Sequence, residues 1–247
     1  MSDLIEQARE MIAASSSVVA LTGAGVSTPS GIPDFRSADS GLWSKFDPME
    51  VASIAGFRAN PERFFEWLKP LASKTRDARP NPAHESLARM QASGRLGVII
   101  TQNIDGLHEA AGAGDVLALH GHSRGATCLD CGKAHPIEMI EAALDADSIP
   151  ECDCGSHLVK PDVILFGEFL PQEIFARARA ACAAADLMII AGSSLEVFPA
   201  NNLPDLVLEN GGRLLIVNRG ATQRDRHADC KISGAVEEVL PLIIGDS

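Results

Sequence analysis

Two short polar segments carry residue types that suit the binding of a nucleotide. Residues 22–27 read Thr-Gly-Ala-Gly-Val-Ser and residues 101–105 read Thr-Gln-Asn-Ile-Asp, each directly after an apolar run. A glycine pair after a strand lets backbone N–H groups approach a phosphate, while amide and carboxylate groups suit ribose hydroxyls and a carboxamide. The third glycine of the dehydrogenase fingerprint is missing, because Thr28 stands in its place. An ordinary tight turn is the alternative interpretation.

The continuation of the first segment favours the nucleotide interpretation. Residues 30–36 read Ser-Gly-Ile-Pro-Asp-Phe-Arg. This stretch combines glycine, proline, an aromatic residue and two opposite charges, which is more than a simple connecting loop needs. A glycine and proline loop with an incidental Asp-Arg pair is the alternative.

One histidine is a candidate for acid-base chemistry. His120 follows the apolar residues 116–119 and precedes a glycine. An imidazole can act as a general base near neutral pH. On side-chain chemistry alone, a structural or solvated histidine is the alternative, and His84, His122 and His227 have no stronger case.

Four cysteines in two close pairs are typical of a metal site. The pairs are Cys128 with Cys131 and, after twenty residues, Cys152 with Cys154. Four thiolates in this pattern can surround a tetrahedral zinc ion with no open position for water, which is the arrangement of a structural site. The second pair is one residue short of the usual spacing, and His135 and His157 are rival ligands. A redox dithiol is the alternative.

The elements that position these residues follow from the hydrophobic pattern. Helical spacing predicts an amphipathic first helix with an N-cap at Ser2. Continuous apolar runs predict buried strands at 18–21, 97–100, 187–191 and 214–217, and breaker-free patterns predict helices at 172–185 and 205–209. Strands that alternate with helices indicate an α/β protein with a doubly wound parallel sheet.

Two stretches do not fit this alternation and are interpreted as insertions. The first, 37–82, holds both tryptophans and several proline and glycine breakers; the second, 123–159, holds the cysteine pairs and an acidic helix at 137–144. The prediction is one large nucleotide-type part, 1–36, 83–122 and 160–247, that carries a smaller discontinuous domain with a helical and a zinc segment.

Composition excludes several classes of protein. The 247 residues are 46% hydrophobic and 22% charged, which is typical of a globular chain and unlike disordered or collagenous ones. The formal charge of −12 repels phosphate backbones, so we expect no direct nucleic-acid binding. No apolar run approaches the roughly 18 residues of a membrane span, and no secretory signal is evident, so we expect no membrane partner and a cytoplasmic protein.

The ordered set of motifs resembles the sirtuins, the family of NAD-dependent protein lysine deacylases. The matching pieces span about four fifths of the chain: 23–27, 30–37, 102–105, 120–121, the cysteine pairs, 161–168 (Pro-Asp-Val-Ile-Leu-Phe-Gly-Glu), 192–195 (Gly-Ser-Ser-Leu) and 217–220 (Val-Asn-Arg-Gly). The resemblance implies a Rossmann-like large domain, a small domain with one structural zinc, and a cleft where NAD meets the acylated lysine.

The resemblance also implies the site residues. His120 and Asn103 would be catalytic, and Val163, Phe166, Gly167 and Glu168 would bind the acyl-lysine substrate. The cofactor-binding residues would be Gly23, Ala24, Gly25, Thr28, Asp34, Phe35, Arg36, Gln102, Asn103, Ile104, Asp105, His120, Gly192, Ser193, Ser194, Asn218, Arg219, Gly220 and Cys230. In this set the glycine pair would face the phosphates, residues 103–105 would form the nicotinamide pocket, and Cys230 would help to hold the adenosine half.

The activity so implied is removal of acyl groups from protein lysines with release of nicotinamide and O-acyl-ADP-ribose, with His120 as the base. Members that prefer succinyl groups are similar to one another in a Tyr-x-x-Arg pair, where this chain has Leu68 and Leu71. A buried carboxylate without a cation is costly, so we expect acetyl, or a longer apolar chain against these leucines and Phe65, to be preferred. The alternatives are a mono-ADP-ribosyltransferase, a non-catalytic NAD-sensing module and, least favoured, a dehydrogenase.

Overall fold

The computed structural model describes residues 1–34 and 46–245. In chain order the strands are β1 (Val18–Thr22), β2 (Val98–Thr101), β3 (Val116–Ala118), β4 (Gly121–Cys128), β5 (Ala134–Pro136), β6 (Val159–Val163), β7 (Leu187–Ala191), β8 (Arg213–Val217) and β9 (Cys230–Ile232). The helices are α1 (Ser2–Ala13), α2 (Pro48–Val51), α3 (Ile54–Ala59), α4 (Pro61–Asp77), α5 (Pro82–Ala92), α6 (Leu107–Ala110), α7 (Ile137–Asp145), α8 (Gln172–Ala184), α9 (Leu203–Glu209) and α10 (Val236–Ile244).

Six strands form a parallel sheet in the order β3-β2-β1-β7-β8-β9. Every residue of β1 and β7 is buried, because helices cover both faces of the sheet. On one face the core includes residues of α1, α5 and α10, and on the other it includes residues of α8 and α9. The strand order reverses beside β1, whose neighbours are β2 and β7. Ligands of open α/β sheets bind at such a switch point, outside the carboxyl ends of the strands.

A second, smaller part of the molecule has its own core. Its sheet is antiparallel, in the order β5-β4-β6, and α2, α3, α4 and α7 pack against it. Phe57, Phe64 and Phe65 meet edge to face at its centre, with ring centroids 4.9 to 6.0 Å apart. Such aromatic contacts add to the stabilisation from burial itself.

The structure confirms the α/β fold class, the parallel sheet and all four predicted strands, with shifts of one residue at some ends. The predicted N-cap at Ser2 is wrong, because Met1 caps α1 and Ser2 lies inside the helix. The predicted division into domain segments stays a prediction, although the small sheet reaches slightly beyond 123–159, from Gly121 to Val163. Within the described residues, no helix combines the length and apolar character needed to cross a bilayer.

Candidate active site

A cavity of about 1010 Å³ lies beyond the carboxyl ends of β1, β2 and β7, between the parallel sheet and the small part. The predicted site residues that line it are Gly23, Ala24, Gly25, Thr28, Asp34, Gln102, Asn103, Ile104, Asp105, His120, Val163, Phe166, Gly167, Glu168, Gly192, Ser193, Ser194, Asn218, Arg219 and Gly220. Phe35 and Arg36 lie outside the described residues. Almost every motif that suggested chemistry therefore meets in one place.

The first glycine motif interlocks with Gly192, the residue that follows β7. The Gly25 N–H donates to the Gly192 carbonyl at 2.8 Å, and a Cβ on Gly25 would lie only 2.8 Å from that oxygen. Gly192 has a φ of +61°, and a Cβ there would lie 2.4 Å from the nitrogen of Val26. The two loops can approach this closely only without side chains, so both glycines are steric requirements of the cavity wall.

Ser27 is the centre of a polar network that joins the two nucleotide motifs. Its hydroxyl accepts a hydrogen bond from the Asn103 amide at 3.0 Å and donates to the Asp105 carboxylate at 2.7 Å. The same hydroxyl contacts Nε2 of His84 at 3.4 Å. The Leu107 N–H donates to the other Asp105 oxygen at 2.9 Å. These bonds fix the polar groups of residues 103–105 at the cavity wall before any ligand arrives.

Burial dominates the electrostatics of this network. It raises the pKa of Asp105, although the hydrogen bonds from Ser27 and Leu107 oppose the shift. Behind Asp105 two histidines stack edge to face, and burial lowers the pKa of His84 to about 4 and that of His108 to about 3. Both imidazoles are therefore neutral at physiological pH, which keeps positive charge away from the wall.

His120 lies between β3 and β4, half-buried, with its ring on the cavity. Its Nδ1 contacts the carbonyl oxygen of Gln102 at 2.8 Å. A carbonyl can only accept, so Nδ1 carries the proton and Nε2 carries the lone pair. The next residue, Gly121, has a φ of +74°, and a Cβ there would lie 2.2 Å from the carbonyl oxygen of Asp162. The histidine thus sits where the backbone turns sharply against β6.

At the far end of the cavity, polar groups from three loops come together. The Gln102 amide donates to the Ser193 hydroxyl at 2.8 Å, and Arg219 pairs with Glu237 of α10 at 3.1 Å. Cys230 is not among the described residues that line the cavity. Its buried thiol contacts the carbonyl oxygen of Leu4 at 3.7 Å, so it lies beneath α1.

In the other direction the cavity enters the small part and becomes apolar. It continues between α4 and α7, where the lining is mostly apolar and consists of Phe64, Trp67, Leu68, Leu71, Ala72, Ile137 and Ile140, together with Thr75, Arg76 and Glu141. Phe65, which the sequence analysis placed against the acyl chain, does not line the described cavity and is buried in the small core. At the outer opening Phe169 and Phe198 are 88% and 74% exposed. The site therefore has a polar arm and an apolar arm that meet near His120.

The four paired cysteines form one cluster in the small part. Their sulfur atoms all lie within 4.8 Å of one another, with 3.7 Å between Cys128 and Cys154 and 3.6 Å between Cys131 and Cys152. Sulfurs bound tetrahedrally to zinc at about 2.3 Å would be about 3.8 Å apart, so the cluster fits the ion. All four thiols are free, which argues against a disulfide.

The rival histidines do not complete the cysteine cluster. His135 contacts the sulfur of Cys152 through Nε2 at 3.3 Å, and His157 contacts the carbonyl oxygen of Pro150 through Nδ1 at 3.2 Å. His135 thus supports a ligand rather than replacing one, as neighbours of metal ligands commonly do. Backbone N–H groups of Cys131 and Asp130 help to lower the pKa of Cys128 to about 6, whereas hydrogen bonds with the other thiols raise the pKa of Cys154. The four sulfurs therefore share protons, which zinc binding would release.

Comparison with known proteins identifies the family. Residues 23–199 match the family model described as the Sir2 family. The chain is 44% identical over 245 residues to "NAD-dependent protein deacylase 2" of Archaeoglobus fulgidus, covering 99% of this chain and 96% of that protein. The chain belongs to the Sir2 family. This sirtuin is also 41% identical to the "NAD-dependent protein deacetylase" of Sulfolobus acidocaldarius, over 98% of this chain and 95% of that one.

Two solved structures show the same fold with ligands. A Sir2 variant with a deacetylated p53 peptide and 3′-O-acetyl-ADP-ribose superposes with a TM-score of 0.93, at 38% identity and 97% coverage of both chains. Sir2Af2 bound to a myristoylated histone peptide superposes with a TM-score of 0.85, at 38% identity, covering 99% of this sirtuin and 96% of that chain.

Three functional candidates of this sirtuin escaped the sequence analysis. Ser27 belongs to the first glycine motif, whose pattern predicts no role for it, yet its hydroxyl joins Asn103 and Asp105. Glu237 reaches the polar arm from α10, far along the chain. Lys160 is a buried cation beside residues 163–168, and nothing in its sequence surroundings, Leu-Val-Lys-Pro-Asp-Val-Ile, predicts a role for it.

Proposed function

We propose that this sirtuin removes acetyl groups from protein lysines, with NAD as the second substrate, and releases nicotinamide and O-acetyl-ADP-ribose. The observation that carries the proposal is the arrangement of His120, whose Nδ1–H is held by the Gln102 carbonyl so that the lone pair is on Nε2. The same cavity contains the polar groups of residues 103–105 and an apolar arm for an acyl chain. The names of the two archaeal relatives support this activity.

The walls of the cavity suggest how the two substrates lie. Residues 23–25, with Thr28 and Gly192, would line the phosphate site, where the absence of side chains on the glycines lets the phosphates approach the backbone closely. The N–H groups of Gly23, Gly25 and Gly192 donate to carbonyl oxygens of the protein itself, so they support the loop rather than the ligand. Asn103, Ile104 and Asp105 would receive the nicotinamide, and the loops at 193–194 and 218–220 would receive the adenosine half. Phe35 and Arg36 are proposed to contact the nicotinamide-side ribose, and Cys230 acts on the adenosine end only through the strand that carries it.

In this arrangement His120 performs the proton transfer. The acyl oxygen of the substrate would displace nicotinamide at C1′ of the ribose, so a C1′–O bond forms as the C1′–N bond breaks. A ribose hydroxyl then loses its proton as it attacks the carbon of the acyl group, and a water molecule admitted afterwards releases the lysine amine. Nε2 of His120 accepts that proton, and the Gln102 carbonyl stabilises the resulting imidazolium through Nδ1–H. A positioned base of this kind contributes roughly 10²- to 10⁴-fold in rate. The apolar arm excludes water from the reacting centre, which protects the intermediate from hydrolysis.

The apolar arm favours a second class of substrate, lysines with longer fatty acyl groups. Leu68, Leu71, Ile137 and Ile140 extend the cavity between α4 and α7 well beyond the space for an acetyl group. Each buried methylene contributes about 0.8 kcal/mol, so a chain that fills the arm binds tightly. The myristoylated peptide bound by Sir2Af2 supports this assignment.

The partners are proposed to be acyl-lysine proteins or peptides, in line with the peptides bound by the two Sir2 structures. The charge of −12 argues against a nucleic-acid partner. A zinc ion held by the four cysteines would stabilise the small part and take no part in the reaction.

The decisive experiment measures nicotinamide release from NAD with and without an acetyl-lysine peptide, while mass spectrometry follows the peptide. We expect release to require the peptide and to match the loss of its acetyl group one for one. Release without deacetylation would instead support ADP-ribosyl transfer, and NAD binding without release would support a sensing module.

A further inference from the structure

A buried lysine lies beneath the segment that the proposed function assigns to the acyl-lysine. Lys160 belongs to β6, and its side chain is 8% exposed. An ammonium group out of water is costly unless oxygen atoms surround it. Its Nζ donates to the carbonyl oxygens of Pro161 at 3.2 Å and Val163 at 2.5 Å, and it pairs with the Glu168 carboxylate at 3.2 Å. Three acceptors match the three N–H groups of the lysine.

The carboxylate of Glu168 points back toward residues 163–165 of the same segment and accepts a hydrogen bond there. The oxygen that pairs with Lys160 also accepts the Leu165 N–H at 2.8 Å. The glutamate is 22% exposed, because it closes a loop over residues 165–168. This loop includes Gly167, whose φ is +90°. Lys160 and Glu168 therefore fix the inner side of the segment by charge-assisted bonds, which are stronger than neutral ones.

The outer side of the same segment is held by backbone bonds from two directions. Phe166 exchanges hydrogen bonds with α3 and its preceding turn, donating to the Ala52 carbonyl at 2.9 Å and accepting from the Ile54 N–H at 2.9 Å. The Ile164 N–H donates to the carbonyl oxygen of His120 at 2.8 Å. Hydrogen bonds therefore connect the segment to the proposed base on one side and to the small part on the other, while Lys160 contacts its inner side.

We propose that Lys160 and Glu168 form a positioning pair that sets the shape of residues 163–168 for the acylated peptide. This inference rests on the proposed function, because it assigns the segment to that substrate. The pair acts through the backbone and touches neither the nucleotide nor the base ring, so its loss changes peptide binding and leaves nucleotide binding intact. Glu168 thereby serves the substrate indirectly rather than by pairing with a charge on the peptide.

The test compares steady-state kinetics of Lys160→Met, Glu168→Gln and the double variant. We expect Lys160→Met to raise the KM for an acetyl-lysine peptide about tenfold, the loss typical of one buried charged partner, with the KM for NAD changed less than about twofold. Glu168→Gln keeps an oxygen for the Leu165 N–H but loses the charge, and we expect about a threefold rise. The double variant is expected to be no worse than Lys160→Met, because the two side chains act together.

Lys69→Met is the matched control, since Lys69 is an exposed lysine that pairs with Asp147. It is expected to leave both KM values unchanged. If Lys160→Met does not fold, as judged by thermal melting and zinc content, the KM values of Glu168→Gln test the proposal. Glutamine has the same shape as glutamate and leaves the Leu165 N–H with an acceptor, so this variant disturbs the fold less.

Two results would overturn the proposal. One is an equal rise in the KM for NAD and for peptide in Glu168→Gln, which would make the pair a general support of the fold. The other is a Glu168→Gln effect seen only with a peptide that carries arginine beside the acyl-lysine and not with alanine there, which would mean direct pairing with substrate. Failure of the wild-type chain to deacetylate any peptide would instead refute the proposed function and is visible before any variant is made.

Discussion

The ring nitrogen Nδ1 of His120 donates to the backbone carbonyl of Gln102 at 2.8 Å. The bond ties the proposed base to the loop that follows β2, so the same polypeptide segment orients the imidazole and forms the proposed nicotinamide pocket. It also selects the tautomer, because a carbonyl oxygen can only accept. The base and the pocket are therefore built as one unit.

The first prediction concerns this histidine. His120→Ala is expected to lower turnover at least 10²-fold, the usual contribution of a positioned base, while NAD still binds. Deacetylation kinetics and calorimetric titration with NAD measure the two properties. His122→Ala is the control, since His122 does not line the described cavity. Retention of more than a few per cent of wild-type turnover would remove His120 from the role of base.

The second prediction concerns the glycine beside it. Gly121→Ala places a Cβ 2.2 Å from the Asp162 carbonyl at a φ of +74°. The left-handed conformation alone costs an L-residue roughly 1–2 kcal/mol, and the contact adds to that. We expect a lower free energy of unfolding and weak activity, measured by urea denaturation and deacetylation assays. Gly114→Ala is the matched control, because nothing lies within 4 Å of its Cβ, and equal behaviour of the two variants would contradict the argument.

The third prediction concerns the selectivity for the acyl group. Leu68 and Leu71 stand at the two positions of the Tyr-x-x-Arg pair, and the guanidinium of Arg76, which also lines the cavity, already pairs with Asp145 at 3.3 Å. A succinyl carboxylate would therefore lose its hydration without gaining an unengaged cation. Succinyl peptide is expected to be turned over far more slowly than acetyl peptide. The double variant Leu68→Tyr, Leu71→Arg supplies a phenol and a guanidinium, and we expect it to raise the succinyl-to-acetyl ratio of kcat/KM. Equal rates on the two peptides with the wild-type protein would refute this selectivity.

The fourth prediction concerns removal of the metal. Cys128 ends β4, the strand that begins directly after His120. If the cysteine cluster loses its structure, β4 is no longer held at that end, and the position of the proposed base at the other end becomes less well defined. Chelation of zinc, or Cys131→Ser, is expected to lower both the thermal midpoint and the activity. Zinc content by atomic absorption checks that the metal has left. Cys182→Ser is the comparison, because that buried cysteine lies on α8 outside the cluster, and zinc loss with full activity would contradict the coupling.

The fifth prediction concerns pH. Burial holds the pKa of His84 at about 4 and that of His108 at about 3, whereas an unfolded histidine titrates near 6.5. Between these values the unfolded chain binds more protons than the folded one. The contribution of these two histidines to the free energy of unfolding is therefore fully present above about pH 6.5 and is lost as the pH drops toward 4.

Urea denaturation at several pH values measures this loss. The variant His108→Gln is expected to be less stable at pH 8 and to lose less stability on acidification, because one buried imidazole is gone. His227→Gln removes an exposed histidine and is expected to follow the wild-type curve. A variant His108→Gln with the same pH slope as the wild type would show that other groups dominate.

Much of the parallel sheet could be predicted because its strands are buried on both faces and read as continuous apolar runs. β3 and β9 have only three residues each, too few for a pattern to stand out. In β4 the order Gly-His-Ser-Arg-Gly-Ala-Thr-Cys hides the strand, since it has no regular alternation and its pairing with β6 joins residues that are far apart in the sequence. Ser2 looked like a cap because local chemistry favours serine there, yet the helix begins one residue earlier than that pattern predicts.

The site was predictable where local motifs carry it and hidden where the fold brings residues together. The spacing of the four cysteines is distinctive by itself, whereas the glycine loop, residues 102–105 and His120, one of seven histidines, are singled out by the resemblance to the sirtuins. Ser27 gains its importance only from Asn103 and Asp105, which lie about eighty residues away in the sequence. Lys160 shows its role only when Glu168 folds back over it.

The small part joins the parallel sheet through segments that are themselves walls of the cavity. One connection passes through His120 at the end of β3, and another returns through residues 163–169. A rotation of the small part would use these segments as pivots, so the angle of the cleft and the shape of the reaction centre cannot change independently. A ligand that contacts both parts across the cleft would fix the angle between them, so a second ligand would then bind at a lower conformational cost.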